Sequence, residues 1–280
     1  MTNFLLRRRK LGNTSCREIK NLSKEGIEVY RNDNLKIPNG DIVFRWGCTS
    51  NVEAKSIVNS AKAIHTVSDK VGFRRLMQDS DPKLCPKTWF SLEEWKQDSL
   101  FPVVVRPAVH HQGRHTYLCK TLAEIQDAIR KCGAAYYISK FIPKVKEYRV
   151  FIVQGRTVCV ANKTPGNPQD VAWNVARGGR FDNVNWDNWP LRAVRVATEA
   201  FALSGLDFGG VDVMELADGS CTVLEINSSP SLTSPYRQEC FAKAFDWIVK
   251  NGKEKIPLVQ ERGGYLKFIH PAITNNARIG

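Results

Sequence analysis

Apolar positions recur along this chain with two different periods. In "FPVVVRP" and "EYRVFIVQGRTVCVANK" the β-branched and aromatic residues form runs of strand length, and Gln154 with Gly155 supplies a turn inside the second run. In "KVGFRRLMQDS" the apolar residues recur at helical spacing, behind Asp69 as a candidate N-cap. Helical patterns also cover "TLAEIQDAIRKCG", "LRAVRVATEAFALSG" and "QECFAKAFDWIVKNG". This mixture of hairpins and crossover helices predicts an α+β or α/β protein.

The first 66 residues carry a pattern of their own. A strand is predicted over residues 3–9, followed by a helix through "SCREIKNLSKEG" that ends at Gly26. Short strands follow at "IEVYR" and "DIVFRWG". This order of elements predicts a small α/β unit, residues 1–66, ahead of the rest of the chain.

A second hairpin places polar side chains in an apolar strand. The stretch "FGGVDVMELADGSCTVLEINSS" contains two β-like runs separated by Asp218-Gly219, a pair typical of two-residue turns. In such a hairpin Ala217 faces Ser220. The same register places Asp212 directly opposite Glu225.

Asn227 lies two residues after Glu225 and therefore on the same face of the strand, opposite Gly210. Two carboxylates that face each other destabilise a hairpin unless a cation lies between them. Carboxylate and amide oxygens are hard ligands that suit Mg²⁺. The alternative is an exposed face with ordinary solvated acids. The amide of Asn227 on the same face, with apolar residues on the other, favours a magnesium site formed by Asp212, Glu225 and Asn227.

A bound cation of this kind needs an anion, and the chain offers several basic groups for phosphate. Arg106 ends the apolar strand "PVVVR", and loop 108–114 behind it carries His111 and Gly113. Lys70 follows the N-cap of its helix. Each of these bases, taken alone, is better explained as a solvated surface residue. His111 and His115 have the spacing of a helical metal pair, but the predicted loop argues against a transition-metal site.

The composition changes this picture only in part. Lys and Arg outnumber Asp and Glu by 41 to 28, which gives a formal charge of +13, and residues 101–180 hold 13 of the bases against four acids. An anionic partner is expected, although a basic surface that only aids solubility is the alternative. The sequence contains no recognition-helix or RNP-like motif, which argues against nucleic acid.

No secretion signal or membrane-length apolar run is present in the sequence. The eight cysteines lack any C-x-x-C spacing, which argues against a zinc module or a redox pair. These features predict reduced thiols in the cytoplasm.

The hairpin sequence resembles a known signature. "LDFGGVDVMELADGSCTVLEINSSPSL" is similar to the G-V-D … L-E-[IV]-N-S-S-P motif of the ATP-grasp superfamily. Within that superfamily it resembles the carboxylate-amine ligases that include the ribosomal-protein glutamate ligases. The resemblance covers residues 67 to about 250, and it implies that Asp212, Glu225 and Asn227 are magnesium ligands.

Further segments resemble the nucleotide-binding parts of these ligases. "SDKVGFRRLM" matches the first nucleotide-binding lysine at Lys70, and "PVVVRP" matches the second basic position, where Arg106 replaces the commoner lysine. The loop over the phosphates, usually glycine-rich, has one glycine here. The resemblance assigns the remaining binding positions to His111, Gly113, Lys140, Phe141, Ile142 and Glu147, and the catalytic positions to Arg149, Lys163, Asn174 and Arg177. Lys140 stands where relatives often have an acid.

The resemblance implies an α+β fold of the ATP-grasp kind, with two α+β subdomains, 67–138 and 139–280, that grip ATP behind a short α/β domain. It implies a cofactor set of ATP and Mg²⁺, with Mn²⁺ as an alternative metal. The expected reaction is ADP-forming ligation of a carboxylate to an amine through an acyl phosphate. The alternatives are a phosphotransferase and a non-catalytic basic binding module on the same fold. The expected partners are an amino acid or an acidic peptide or protein, and a second copy of the chain, since such ligases form oligomers; no membrane is expected.

Overall fold

The computed structural model describes residues 3–7, 14–31, 39–109, 115–167, 171, 173, 178–254 and 259–268. Three β-sheets follow one another along this part of the chain. The first sheet is parallel, the second is antiparallel, and the third is almost entirely antiparallel.

The first sheet has the strand order β2-β1-β3-β4 and forms an α/β unit. Its elements are β1 (Asn3–Arg7), α1 (Thr14–Leu22), β2 (Ile27–Arg31), β3 (Gly40–Trp46) and β4 (Ala54–Val58). The helix ends at Leu22, so the predicted end at Gly26 was wrong: Gly26, at φ 67°, lies in the turn that leads into β2. The strand β4 was not predicted from the sequence.

Two helices then connect the first sheet to the second. They are α2 (Ala61–Ser68) and α3 (Lys70–Ser80). The carboxylate of Asp69 accepts a hydrogen bond from Gly72 N, which confirms Asp69 as the N-cap of α3. Val67 and Phe73 from these helices are buried in the core that lies under the third sheet.

The second sheet has the strand order β5-β8-β6-β7. Its elements are β5 (Thr88–Trp89), α4 (Leu92–Asp98), β6 (Val103–Pro107), β7 (Tyr117–Cys119), α5 (Leu122–Cys132) and β8 (Tyr136–Lys140). Thr121 and Glu124 form a capping box at the start of α5. The helices α4 and α5 bury Trp95 and Ile125 against the apolar face of this sheet.

The third sheet has seven strands in the described part of the chain, in the order β13-β12-β9-β10-β15-β14, with β11 also paired to β10. Its elements are β9 (Lys144–Val153), β10 (Arg156–Thr164), β11 (Arg180–Val184), α6 (Leu191–Ser204), β12 (Phe208–Leu216), β13 (Cys221–Asn227), α7 (Pro235–Asn251), β14 (Val259–Arg262) and β15 (Tyr265–Phe268). The predicted Gln154-Gly155 turn joins β9 to β10, and both residues have positive φ.

Successive side chains of β9 point to opposite faces of the third sheet, and each face packs against a different core. Val150 and Ile152 point to the core beneath α6, whereas Phe151 points to the core shared with α7 and the first sheet. Two and four residues before Phe151, the same face of β9 carries Arg149 and Glu147. This face therefore changes along the strand from apolar packing to a cluster of charges.

The described helices include none that is both long and apolar enough to cross a membrane. All eight cysteines are free thiols. The division of the chain at residues 66 and 138 stays a prediction.

Candidate functional site

The hairpin between β12 and β13 has a different turn from the one the sequence predicts. Leu216 N donates to Ser220 O at 2.9 Å, so three residues, Ala217 to Gly219, form the loop. Gly219 has a φ of 75°, the left-handed conformation that closes three-residue loops of this kind. The predicted pairing of Ala217 with Ser220 was therefore wrong.

A β-bulge at Leu224 compensates for the longer loop. The ladder pairs Val213 with Val223 and then pairs Asp212 with Glu225, so that Leu224 is the extra residue of β13. Without the bulge, Leu224 would stand opposite Asp212 and Glu225 would turn to the other face. The predicted pairing of Asp212 with Glu225 is confirmed, as is that of Gly210 with Asn227.

Two cations of the protein contact the opposed carboxylates. Arg149 binds Asp212 in a bidentate manner, with Nε–Oδ1 at 2.5 Å and Nη2–Oδ2 at 2.7 Å. Lys70 Nζ lies 2.9 Å from Glu225 Oε2. Gly210 leaves room for Arg149, because a Cβ there would lie 3.3 Å from Arg149 Cδ. The contacts explain how the hairpin accommodates two facing acids.

The charge state of Glu225 follows from these neighbours. Burial alone would raise the pKa of its carboxyl, but the Lys70 ammonium and the charge of Arg149 outweigh burial and hold the pKa well below its ordinary value. Asn227 Nδ2 also donates to Glu225 Oε1 at 3.2 Å. Glu225 is therefore an anion at neutral pH.

A second charged cluster lies beside the first on the same face of the sheet. Glu147, which is 2% exposed, accepts short hydrogen bonds from both Lys144 and Lys163. Burial lowers the pKa of Lys144, and Glu147 opposes that effect. The ammonium of Lys144 also lies 4.5 Å from the centroid of the Trp173 ring.

A narrow cleft opens between helix α3, the second sheet and strand β13. Its charged lining consists of Lys70, Arg74, Arg106 and Glu225, and apolar side chains of α2, α3 and β13 complete it together with Tyr137. The buried Nε of Arg106 has no hydrogen-bond partner in the described part of the protein. Three cations and one acid make this cleft suited to an anionic ligand.

Comparison with known proteins identifies the family. Residues 92–244 match the model of the RimK-like ATP-grasp domain, which is more than half of the chain. The chain belongs to the RimK-like ATP-grasp family. This match confirms the resemblance seen in the sequence, and with it an α+β fold of the ATP-grasp kind.

Relatives and solved structures agree with this family. A "Probable alpha-L-glutamate ligase 2" from Hahella chejuensis is 30% identical over 167 residues, which are 55% of this chain and 53% of that relative. The match thus spans about half of the relative's length. The ATP-grasp ligase PsnB complexed with minimal precursor, Mg and ADP has a TM-score of 0.64 at 13% identity, over 88% of this chain and 98% of its own. D-alanine–D-alanine ligase from Bacillus anthracis also scores 0.64 at 13% identity, over 90% and 97%.

The segment Lys140–Ile142, which the sequence resemblance predicts to bind adenine, begins at the last residue of β8. Lys140 N donates to Lys87 O at 2.8 Å and Phe141 N donates to Pro102 O at 3.0 Å. Both N–H groups are thus engaged within the second sheet. Four other predicted site residues lie outside the described residues: His111, Gly113, Asn174 and Arg177.

The donor set of the hairpin fits magnesium. It offers two carboxylates and one amide on a single face, and each carboxylate oxygen has more than one lone pair, so a salt bridge does not use up its capacity to bind a cation. No cluster of three or more His, Cys, Asp and Glu side chains suited to a metal occurs in the described ranges. A cation at the hairpin would therefore be bound by Asp212, Glu225 and Asn227, with water and phosphate oxygens as its remaining ligands, as is common for Mg²⁺.

The structure adds residues that sequence reasoning missed. Phe181 on β11 pairs with Lys163, and its ring lies near three cations: 4.7 Å from Arg149, 5.6 Å from Lys163 and 5.8 Å from Arg237. Lys144 was missed as well, although it lies three residues before Glu147. No local signal marks Phe181, because its contacts depend on how β9, β10 and β11 are paired. For Lys144 the signal was the nearby acid Glu147 in the same strand.

Proposed function

We propose that the protein is an ADP-forming ligase that uses Mg-ATP to join a carboxylate to an amine. The observation that carries this proposal is the placement of Asp212, Glu225 and Asn227 on one face of a hairpin, next to a basic cleft. Membership of the RimK-like ATP-grasp family supports the same chemistry. Similar proteins include a probable glutamate ligase and a ligase solved with Mg and ADP.

In the proposed reaction a carboxylate oxygen of the first substrate attacks the γ-phosphorus of ATP, and the bond from that phosphorus to the β,γ-bridging oxygen breaks to release ADP. The amine nitrogen of the second substrate then attacks the acyl carbon. The carbon–oxygen bond to phosphate breaks, phosphate leaves, and the nitrogen loses a proton. No protein nucleophile takes part.

The protein's own residues would act by position and charge. Lys70 and Arg106 line the cleft and would contact phosphate oxygens, while Arg149 and Lys163 would neutralise charge on the transferred group. Asp212, Glu225 and Asn227 would hold Mg²⁺, which supplies charge stabilisation to the phosphates when bound. Lys70, Arg149 and Lys163 each contact a carboxylate, so their positions are fixed before the substrates bind.

The substrates belong to the proposal as well. The positive field favours an acidic partner, which an acidic amino acid or an acidic peptide or protein tail would satisfy. The names of similar proteins agree with this class, since one is a probable glutamate ligase and another was solved with a precursor peptide. Trp173, whose ring centroid lies 4.5 Å from the Lys144 ammonium, would border the acceptor.

Two other functions on the same fold make different predictions. A phosphotransferase would pass the γ-phosphate to a hydroxyl and release no free phosphate. A basic binding module would retain the fold but would not turn over ATP. The charge arrangement favours the ligase, because a binding module has no need to place two carboxylates face to face.

The test is incubation with Mg-ATP and pooled acidic amino acids or peptides, with and without hydroxylamine. The proposal predicts ADP, phosphate and a hydroxamate, since hydroxylamine traps an acyl phosphate. A phosphorylated substrate without hydroxamate would indicate the phosphotransferase. ATP left intact with every pool would contradict the enzyme. The oligomer and the cytoplasmic location stay predictions.

A further inference from the structure

The bulge at Leu224 lies on β13, an edge strand of the third sheet. Helix α3 and the segment after it contact the edge of β13 that no other strand pairs with. Val223 N donates to Leu84 O at 2.7 Å, which continues the hydrogen bonding of the strand outward. One residue later, the carbonyl oxygen of Leu224 accepts a hydrogen bond from Arg74 Nη2 at 2.8 Å. The carbonyl group of the bulged residue is therefore held by a charged donor.

Arg74 and Lys70 are four residues apart on α3 and share one face of the helix. Lys70 contacts the side chain of Glu225, while Arg74 contacts the backbone of the preceding residue. A single helix face thus engages two successive residues of β13. These are the residue that bulges out and the acid that the bulge turns toward Asp212.

The surroundings of Arg74 indicate a geometric role. Its side chain is buried, with the guanidinium 5.3 Å from the centroid of the Tyr137 ring in the second sheet. Its Nη1 is also buried and has no hydrogen-bond partner in the described part of the chain. A buried guanidinium with an unsatisfied nitrogen costs stability that an apolar side chain of similar length would not cost. The hydrogen bond to the bulge is the feature that an apolar residue could not replace.

We propose that Arg74 is a positioning residue, which fixes the bulge at Leu224 and thereby keeps Glu225 opposite Asp212. The consequence for metal binding rests on the proposed function, whereas the consequence for the hairpin does not. Because Arg74 also contacts Tyr137, it links the second sheet to the hairpin. Neither the family match nor the sequence patterns assign a role to this residue.

The test compares Arg74→Met with Arg75→Met. Arg75 is the next residue of the same helix, is exposed, and lies over the Phe90 ring instead of β13. Hydrogen–deuterium exchange of residues 221–227 is measured first, without nucleotide. We expect at least a tenfold faster exchange in this peptide of Arg74→Met, with little change elsewhere, and no change in Arg75→Met. Unchanged exchange in residues 221–227 would overturn the proposal.

The second readout is Mn²⁺ binding in the presence of ADP, followed by electron paramagnetic resonance. Positioning residues behind metal ligands typically contribute about 10-fold to 100-fold in affinity, so Arg74→Met is expected to bind Mn²⁺ at least about tenfold more weakly. A role in packing alone would lower the melting temperature and leave this affinity unchanged, which would overturn the proposal. If Arg74→Met fails to fold, Arg74→Gln, which is shorter and lacks the guanidinium, is measured against Arg75→Gln with the same criteria. Wild-type protein that binds no Mn²⁺ with ADP would contradict the proposed function, while the exchange result would still decide the role of Arg74.

Discussion

Replacing Glu225 by glutamine removes one negative charge from the hairpin and almost nothing else. Glutamine has the same length and can still accept a hydrogen bond from Lys70, which lies 2.9 Å from Oε2 in the native protein. The backbone pairing with Asp212 does not involve the side chain. The substitution therefore tests the charge of Glu225 separately from its position.

Glu225→Gln is expected to change the stability of the protein little and its catalytic rate much. The side chains of Lys70 and Glu225 are 24% and 35% exposed, so their ion pair contributes at most about 1 kcal/mol to folding. That corresponds to a melting temperature lowered by about 3 °C or less. A lost charge at a phosphoryl-transfer centre instead costs about 3 kcal/mol of barrier, which is about a hundredfold in rate.

The assay measures kcat for ADP formation over a range of Mg²⁺ concentrations, together with the melting temperature. The matched control is Glu215→Gln, since Glu215 lies on the same hairpin but contacts Tyr148 and Lys146 instead of the site. We expect a hundredfold loss in Glu225→Gln and near-native activity in the control. Native turnover with unchanged magnesium dependence in Glu225→Gln would refute the metal assignment.

Three further predictions concern the same face of the sheet. Glu147→Gln should lower the free energy of unfolding by about 3 kcal/mol in urea titrations, because two buried ammonium groups lose their counter-charge; native stability would contradict that pairing. Because the pKa of Glu225 is lowered from 4.5, the stability that it contributes should be complete above pH 4.5 and decline as pH falls further, so the difference in unfolding free energy between wild type and Glu225→Gln should shrink there. Phe181→Leu should reduce kcat severalfold while Phe181→Tyr retains it, since only the aromatic ring attracts the nearby cations; equal activity would argue for packing alone.

The hairpin shows both the reach and the limit of sequence reasoning. The sequence predicts the pairing of Asp212 with Glu225 correctly, although it derives that pairing from a two-residue turn and the hairpin has a three-residue loop. A three-residue loop and a bulge at Leu224 change the register twice and cancel. The alternation of side chains along the strand was sufficient only to place Asn227 on the face of Glu225. No local signal marks Leu224 as the bulged residue.

Contacts between distant segments account for what the sequence could not predict. Lys70 and Glu225 are 155 residues apart, and Arg149 and Asp212 are 63 apart, so their ion pairs depend on how helix α3 and the third sheet pack. The family motif identified these residues as a set but did not indicate which would touch. Lys144 was missed although its partner Glu147 lies only three residues away, whereas Lys163, the second ammonium on Glu147, comes from the next strand.

The central claim is that a substrate carboxylate is phosphorylated by ATP, and isotope transfer tests it most directly. The protein is incubated with Mg-ATP, an amine acceptor, and acidic amino acids or peptides labelled with ¹⁸O in their carboxyl groups. Mass spectrometry of the released phosphate then reports the origin of its oxygens. The account predicts one ¹⁸O atom in each phosphate formed by ligation. Ligated product accompanied by unlabelled phosphate would contradict an acyl phosphate formed from that carboxylate.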